Sequence, residues 1–404
     1  MVEAPQDVRK ILENVAESEG FTDSTFKFHE RNRAEEGYMG DLYFVTIEDG
    51  QSKEKREVMV KKAKEEDIVR NNFPLEKIYS NECQFYETIW PTFQKFQESA
   101  QCGTLFNKIA KCYATDMEKG KEKLVLENLK KSDFRVMKKG VFFDKQHFEM
   151  IFREYGKFHG LSMAYKSKFP KSFQEISKNL YDYWSGLEDM KVLKNGITLA
   201  LQECLEFIAA EPEKEMITKF EDNYVGKGTQ GFLEVTKYEG KYPVITHGDT
   251  WSSNLMFKHD ESGKAIDMRT VDFQLMKLGT VVFDLSYAMY SGGSKEIFDE
   301  LKHYLDVYHK SLSSALKELQ CDVEELYPRK ELENEWKTYC KFGFLMGLLT
   351  LKENLVYENG NLDITEIIQR SEEMKEVEVG RYNKDEVHRK SVELIRHMYT
   401  SGFL

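Results

Sequence analysis

The sequence predicts an α+β protein of two lobes: a small N-terminal one around an antiparallel sheet and a larger, mostly helical one. Three observations carry that expectation. The chain has 404 residues, more than a single hydrophobic core usually organises. Its early β-prone runs are separated by short turns, as in hairpins. After residue 145 almost every stretch has the 3.6-residue spacing of an amphipathic helix. We place the N-terminal lobe at residues 1–128 and the helical C-terminal lobe at residues 129–404.

In order along the chain, Val8, Ile11, Leu12 and Val15 recur at helical spacing, so residues 8–17 are expected to form an amphipathic helix, followed by a turn-rich segment. Tyr38, residues 42–47 and residues 58–60 are β-prone, and the polar stretch between them carries Gly50, which makes a β-hairpin the economical assignment. Ile78, Phe85, Ile89 and Trp90 lie among polar residues as a helix covering a sheet requires, and residues 123–126 are again strand-like. Helices are expected over residues 148–166, 173–190, 197–209, 299–319 and 331–356. Between them, residues 242–290 break the pattern with short strand-like runs at 243–246, 255–257 and 270–273.

Composition bounds the function. At 41% hydrophobic and 13% aromatic, with 7 prolines, the chain has enough apolar surface for a core and no long polar tract. A net charge of −12 repels nucleic acid and anionic membrane surfaces, so neither is an expected partner. The N-terminus has early acidic residues and no apolar signal core. The most apolar stretch, residues 342–351 between Lys341 and Lys352, is too short to span a bilayer and reads as a buried helix. Cys83, Cys102, Cys112, Cys204, Cys321 and Cys340 are scattered, without a C-x-x-C pair or a zinc-like cluster. Buried thiols in a reducing compartment fit this usage, so a cytoplasmic location is expected, and no obligate protein partner is indicated.

The chemistry centres on His247-Gly248-Asp249-Thr-Trp-Ser-Ser-Asn254. Phosphoryl transfer needs an acid to orient a hydroxyl and an amide oxygen to hold metal, and this Asp-x4-Asn spacing is that of a protein-kinase catalytic loop. Eighteen residues on, Val271-Asp272-Phe273-Gln274 places a second carboxylate where the metal-binding Asp of a D-F-G motif sits, with Gln274 in place of Gly. Each piece alone is weak, since an isolated loop Asp is usually a turn former or cap; order, spacing and strand context favour the functional reading.

Upstream, Gly37 and Gly40 in Glu36-Gly-Tyr-Met-Gly-Asp41 permit a close approach of backbone to phosphate, although a plain hairpin turn fits this segment equally well. Lys61 ends the run Val58-Met59-Val60 and suits nucleotide phosphates if an acid from the next helix holds its ammonium, Glu82 being the best candidate. Lys62 and Lys64 are rivals, and a solvated charged face is the bland alternative; strand alternation, which puts Lys61 opposite Val60, favours Lys61. The run from Leu124 through Glu127 to Leu129 is an apolar strand entering a polar connector, as needed where an adenine bonds backbone between lobes. An ordinary edge strand reads the same way.

With these residues on the page, the sequence resembles the ecdysteroid kinase-like family (the CHK kinase-like domain), an insect-rich group related to choline kinases and aminoglycoside phosphotransferases. The likeness is strongest from Thr246 to Phe257, from Arg269 to Gln274 and from Phe283 to Tyr290, with Trp251 and Gln274 as distinguishing residues. Weaker matches lie at Gly37 to Asp41, Val58 to Lys61, Glu82 with Phe85 and Tyr86, Leu126 to Leu129, and Phe158 to Ala164. The resemblance implies a protein-kinase-like fold and ATP-dependent phosphorylation of a small-molecule alcohol, an ecdysteroid or similar hydrophobic hydroxyl compound. It implies Asp249 as catalytic base, Asn254 and Asp272 as Mg²⁺ ligands, Lys61 paired to Glu82 on the nucleotide phosphates, and Asp284 as a brace for the catalytic loop. The two-glycine loop, Gln274 and the lack of an A-P-E motif argue against a protein kinase. A choline- or aminoglycoside-type kinase and a nucleotide-binding pseudokinase are the competing readings, the latter weakened because Lys61, Asp249, Asn254 and Asp272 are all present.

Overall fold

The computed structural model describes residues 5–29, 39–100, 105–359, 364–372 and 380–404. Gly37 lies outside them, as does Cys102. The N-terminal lobe opens with α1 (Gln6–Ser18), then β1 (Thr25–Phe28), β2 (Gly40–Glu48) and β3 (Lys55–Ala63). It continues through α2 (Asp67–Asn72), α3 (Leu75–Gln84), a π turn at Phe85–Ile89, α4 (Trp90–Ser99), β4 (Cys112–Asp116) and β5 (Lys123–Glu127). The five strands form one antiparallel sheet in the order β1-β2-β3-β5-β4.

Strand alternation divides the work of this sheet between its two faces. Val45, Ile47, Val58, Val60 and Val125 pack beneath Val8, Ile11, Leu12 and Val15 of α1. Ala63, Leu124 and Leu126 face the other way and join the main core with Ile78, Tyr79 and Phe85. Lys61 therefore points toward α3, whereas Lys62 turns to the α1 side and pairs with Asp7 at 3.0 Å.

The helical lobe begins with β6 (Arg135–Val136), α5 (Lys145–Lys168), α6 (Pro170–Ser177), α7 (Lys191–Ile208), α8 (Lys214–Phe220) and α9 (Thr229–Thr236). Four short strands follow: β7 (Val244–Ile245), β8 (Leu255–His259), β9 (Ala265–Thr270) and β10 (Leu278–Gly279). The chain then runs through α10 (Val281–Gly292), α11 (Lys295–Asp299), α12 (Leu301–Glu318), α13 (Val323–Leu326) and α14 (Arg329–Asn354). It ends with β11 (Val356–Asn359), α15 (Ile364–Glu372), β12 (Gly380–Tyr382) and α16 (Lys384–Thr400). No helix among the described residues is long and apolar enough to cross a membrane.

The expected two-lobed α+β architecture is observed, with local differences that have physical causes. The turn-rich segment after α1 contains β1, which pairs with β2. The helix expected over 173–190 stops at Ser177, and Asp182 instead caps a 3₁₀ turn by accepting the Trp184 N–H at 3.1 Å. The strand expected at 270–273 ends at Thr270, because Asp272 takes a left-handed φ of 70° that no ladder accommodates. The helix α10 went unrecognised because every one of its residues is buried, so no polar face marks its period.

Helix packing in this lobe depends on small residues. A Cβ on Gly343 of α14 would collide with the Ser286 and Tyr287 backbone of α10, and one on Gly347 with the backbone of Tyr290. The buried Glu335 carboxylate then accepts from Tyr238 (2.5 Å), Thr280 (2.6 Å) and Tyr327 (2.7 Å), tying α14 to the segments around it. Three donors satisfy a carboxylate that burial alone would make costly.

Two expectations follow. Gly343→Ala should lower unfolding free energy by about 3 kcal/mol, as overpacking against backbone does, read by denaturant titration; an unchanged midpoint would refute the close α10–α14 contact. His397 of α16 packs on Phe298 and Tyr290. Burial, with Lys295 assisting and Asp299 opposing, pushes its imidazole down to about 4. Between about pH 6.5 and 4 the unfolded chain therefore binds more protons, so stability falls on acidification, by about 2 kcal/mol for this group after allowance for its partial exposure. His397→Gln should remove that share of the pH dependence.

Candidate functional site

The catalytic-loop candidates sit where β7 delivers the chain into the core. Ile245 is pinned by its N–H donating to the Ser162 hydroxyl at 2.9 Å. Gly248 then turns with φ +83°, and a Cβ there would collide with the Leu275 carbonyl, so only glycine fits this loop against the segment after β9. Asp284 of α10 closes the loop from behind: it accepts the His247 N–H at 2.7 Å and the Gly248 N–H at 2.8 Å, and bonds His159 Nε2 at 3.1 Å. The Thr250 hydroxyl donates to the Asp284 carbonyl at 2.7 Å.

His247 joins two segments. Its Nδ1 accepts the Asp249 N–H at 3.2 Å, which makes Nε2 the donor to the Val271 carbonyl at 3.0 Å. Burial lowers the imidazole pKa, consistent with the neutral tautomer these bonds require. The loop carrying Asp249 and the segment carrying Asp272 are thereby held in fixed relation.

Five of the sequence-derived candidates come together here. Asn254, in a 3₁₀ turn before β8, donates from Nδ2 to both the backbone carbonyl and Oδ2 of Asp249, each at 2.9 Å. Asp249 is buried, and desolvation followed by the charge of Asp272 pushes its carboxyl well above the ordinary range. Lys61 Nζ lies 2.7 Å from Glu82 Oε2 and 2.8 Å from Asp272 Oδ1. Burial by itself would lower the Lys61 pKa, but the two carboxylates outweigh it and raise it. Burial lifts Glu82 while the ammonium opposes; two acids on one cation leave the Lys61 charge compensated.

The remaining described candidates, Gly40, Glu127 and Leu129, lie around this cluster. Gly40 begins β2, where a Cβ would collide with the Tyr79 hydroxyl and approach the Lys62 carbonyl to 2.7 Å, so packing against α3 accounts for a glycine there. Glu127 closes β5, its N–H donating to the Lys111 carbonyl at 2.8 Å and its carboxylate accepting from the Ser132 hydroxyl at 3.4 Å. Leu129 is buried and opens a 3₁₀ turn capped by Asn128. Both lie between the end of the five-stranded sheet and β6. Phe148, Tyr155, Tyr183 and Trp184 are buried core, and Tyr181 is half-buried.

Sequence reasoning missed Asn81. Its Nδ2 donates to the carbonyls of Tyr181 (2.9 Å), Met276 (3.0 Å) and Gln274 (3.1 Å), and its Oδ1 accepts the Tyr181 N–H at 2.9 Å. It thus fastens α3 to the segment that follows Asp272. Phe273 adds an apolar clasp by stacking on Phe85, with centroids 3.5 Å apart and planes 10° from parallel. An Asn on the inward stripe of an amphipathic helix was the available signal, because a buried amide needs partners.

Donor chemistry here suits a hard divalent cation. The amide nitrogen of Asn254 is committed to Asp249, which leaves its oxygen for coordination, and Asp272 supplies a carboxylate that is about one quarter exposed (24%). No group of three His, Cys, Asp or Glu arranged for metal is found among the described residues. Two oxygen ligands suffice for Mg²⁺ when substrate phosphates complete its shell. A separate groove of about 640 Å³, lined by Lys295, Arg389, Arg396 and His397, contains none of these residues. Its cations are paired internally, Arg389 with Glu386 and Glu393 and Arg396 with Glu211 and Glu213.

Asn81→Ala removes four hydrogen bonds and leaves buried carbonyls unpaired. Its expected cost is about 2–3 kcal/mol in a denaturation experiment with unchanged slope. A variant as stable as the parent would show that Asn81 does not hold the two segments together.

A model of the ecdysteroid kinase-like family matches residues 34–321. That span contains all nine candidate residues and well over half of the chain. Comparison with curated proteins yields no match. With a five-stranded antiparallel sheet joined to a helical lobe and the match covering both, the chain belongs to the ecdysteroid kinase-like family, small-molecule kinases of the kinase-like fold.

Proposed function

We propose that the chain transfers the γ-phosphoryl group of ATP, with Mg²⁺, to the hydroxyl of a small hydrophobic alcohol, an ecdysteroid or a compound like it. The observation that carries the reaction class is the joining of Lys61, Glu82 and Asp272 across the two lobes, next to Asp249 bonded to Asn254. The acceptor class rests on family membership.

Lys61 offers a positive charge to the phosphate chain, and Glu82 keeps that ammonium in place. Asn254 and Asp272 would hold Mg²⁺, which would supply neutralisation of phosphate charge. Asp249 accepts the proton of the acceptor hydroxyl as that oxygen bonds to the γ-phosphorus, while the bond from that phosphorus to the ADP oxygen breaks. Asn254 fixes the Asp249 carboxylate through Oδ2, and the Tyr287 hydroxyl is a second hydrogen-bond partner of that carboxylate. Burial raises the affinity of Asp249 for a proton, which favours this transfer.

Turnover with ATP and Mg²⁺ should be measured over a panel of ecdysteroids, other apolar alcohols, choline and aminoglycosides. Asp249→Ala should lower kcat by about 10²–10⁴ while nucleotide affinity stays within about twofold. Near-parental turnover would remove Asp249 from this role. Phosphate ester from choline or an aminoglycoside alone would replace the hydrophobic acceptor with a cationic one. Nucleotide binding without product from any acceptor would favour the pseudokinase reading.

A further inference from the structure

Tyr79 stands on α3 one turn before Glu82 and is fully buried. Its hydroxyl has no hydrogen-bond partner among the described residues. A buried polar atom left in that state carries a desolvation penalty, and native proteins seldom tolerate it without a use. The same hydroxyl occupies the space that a Cβ on Gly40 would take, so the phenol spans from α3 to the first residue of β2. The Lys61 ammonium lies 5.5 Å from the centre of its ring.

Register along β3 gives this hydroxyl an address. Val58 is opposite Glu127 at the passage between lobes, Lys61 is opposite Leu42 and Leu124, and Ala63 is opposite Gly40. From Val58 to Ala63 is five residue steps, about 16 Å at roughly 3.3 Å each. A nucleotide with its base beside Glu127 and its phosphates passing Lys61 ends near Gly40 and Tyr79. Burial, with Glu82, Asp272 and Asp41 assisting against Lys61, keeps the phenol protonated. It is therefore a hydrogen-bond donor beside a cation, a combination that suits an anion.

We propose that the Tyr79 hydroxyl binds the phosphate chain of the nucleotide, donating to an oxygen at its β,γ end next to Lys61. The inference rests on the reading of the cleft as an ATP site. Gly40 serves this arrangement by leaving room for the phenol.

Equilibrium binding of MgATP, AMP and adenosine to the parent and to Tyr79→Phe tests it. Tyr79→Phe should weaken MgATP binding roughly tenfold, as loss of one hydrogen bond to a charged group does, while adenosine binding stays unchanged and the melting temperature does not fall, since the unpartnered hydroxyl is costly in the free protein. Equal affinity of parent and variant for MgATP overturns the role of Tyr79 alone. An equal loss for MgATP and adenosine, or a variant that fails to fold, overturns it too, since either makes the hydroxyl a structural group. A parent that binds none of the three ligands overturns the ATP reading itself.

Discussion

The Lys61 ammonium, held between Glu82 and Asp272, is the contact on which the rest of the site depends. Its three residues come from β3, from α3 and from the segment after β9, so one cation joins both lobes. Removing either carboxylate leaves buried charge poorly compensated, at a cost of about 3–5 kcal/mol for pairs of this kind. The neighbouring contacts repeat the same connection with other chemistry: Asn81 bonds three carbonyls across it, and Phe85 stacks on Phe273. Polar and apolar contacts together align α3 with Asp272 to within a hydrogen-bond length.

Two aspartates, one in the loop after β7 and one on α10, show how environment divides tasks between identical side chains. Asp284 faces two backbone N–H groups and an imidazole, so its carboxylate is fully bonded and the His247–Gly248 loop is fixed around it. Asp249 is bonded by Asn254 and lies within the field of Asp272, so burial lifts its proton affinity. The first carboxylate organises backbone, and the second is held by side chains alone, Asn254 and Tyr287. Glycine at 248 makes both possible by letting the loop lie against Leu275.

That arrangement depends in turn on packing far from the loop. Gly343 and Gly347 let α14 approach α10, and α10 carries Asp284. Glu335 secures the same helix pair through the Thr280 hydroxyl at the N-terminus of α10. The geometry of the loop that carries Asp249 is therefore a consequence of helix packing in the larger lobe.

What the sequence determined by itself was periodicity and motif order. Alternation in residues 58–60 sent Lys61 to the face opposite Val60, and helical spacing located α1, α5, α12 and α14. The Asp-x4-Asn run and Asp-Phe-Gln, read with their strand context, led to the kinase-like fold and to a resemblance that the family match bears out. Tertiary structure decided what local pattern does not encode. The partners of Asn81 and Asp284 are far away in sequence, α10 has no polar face to announce it, and Asp272 takes a left-handed φ of 70° that local pattern does not announce. Spacing specifies which side of a strand or helix a residue occupies; only the packed chain specifies what waits on that side.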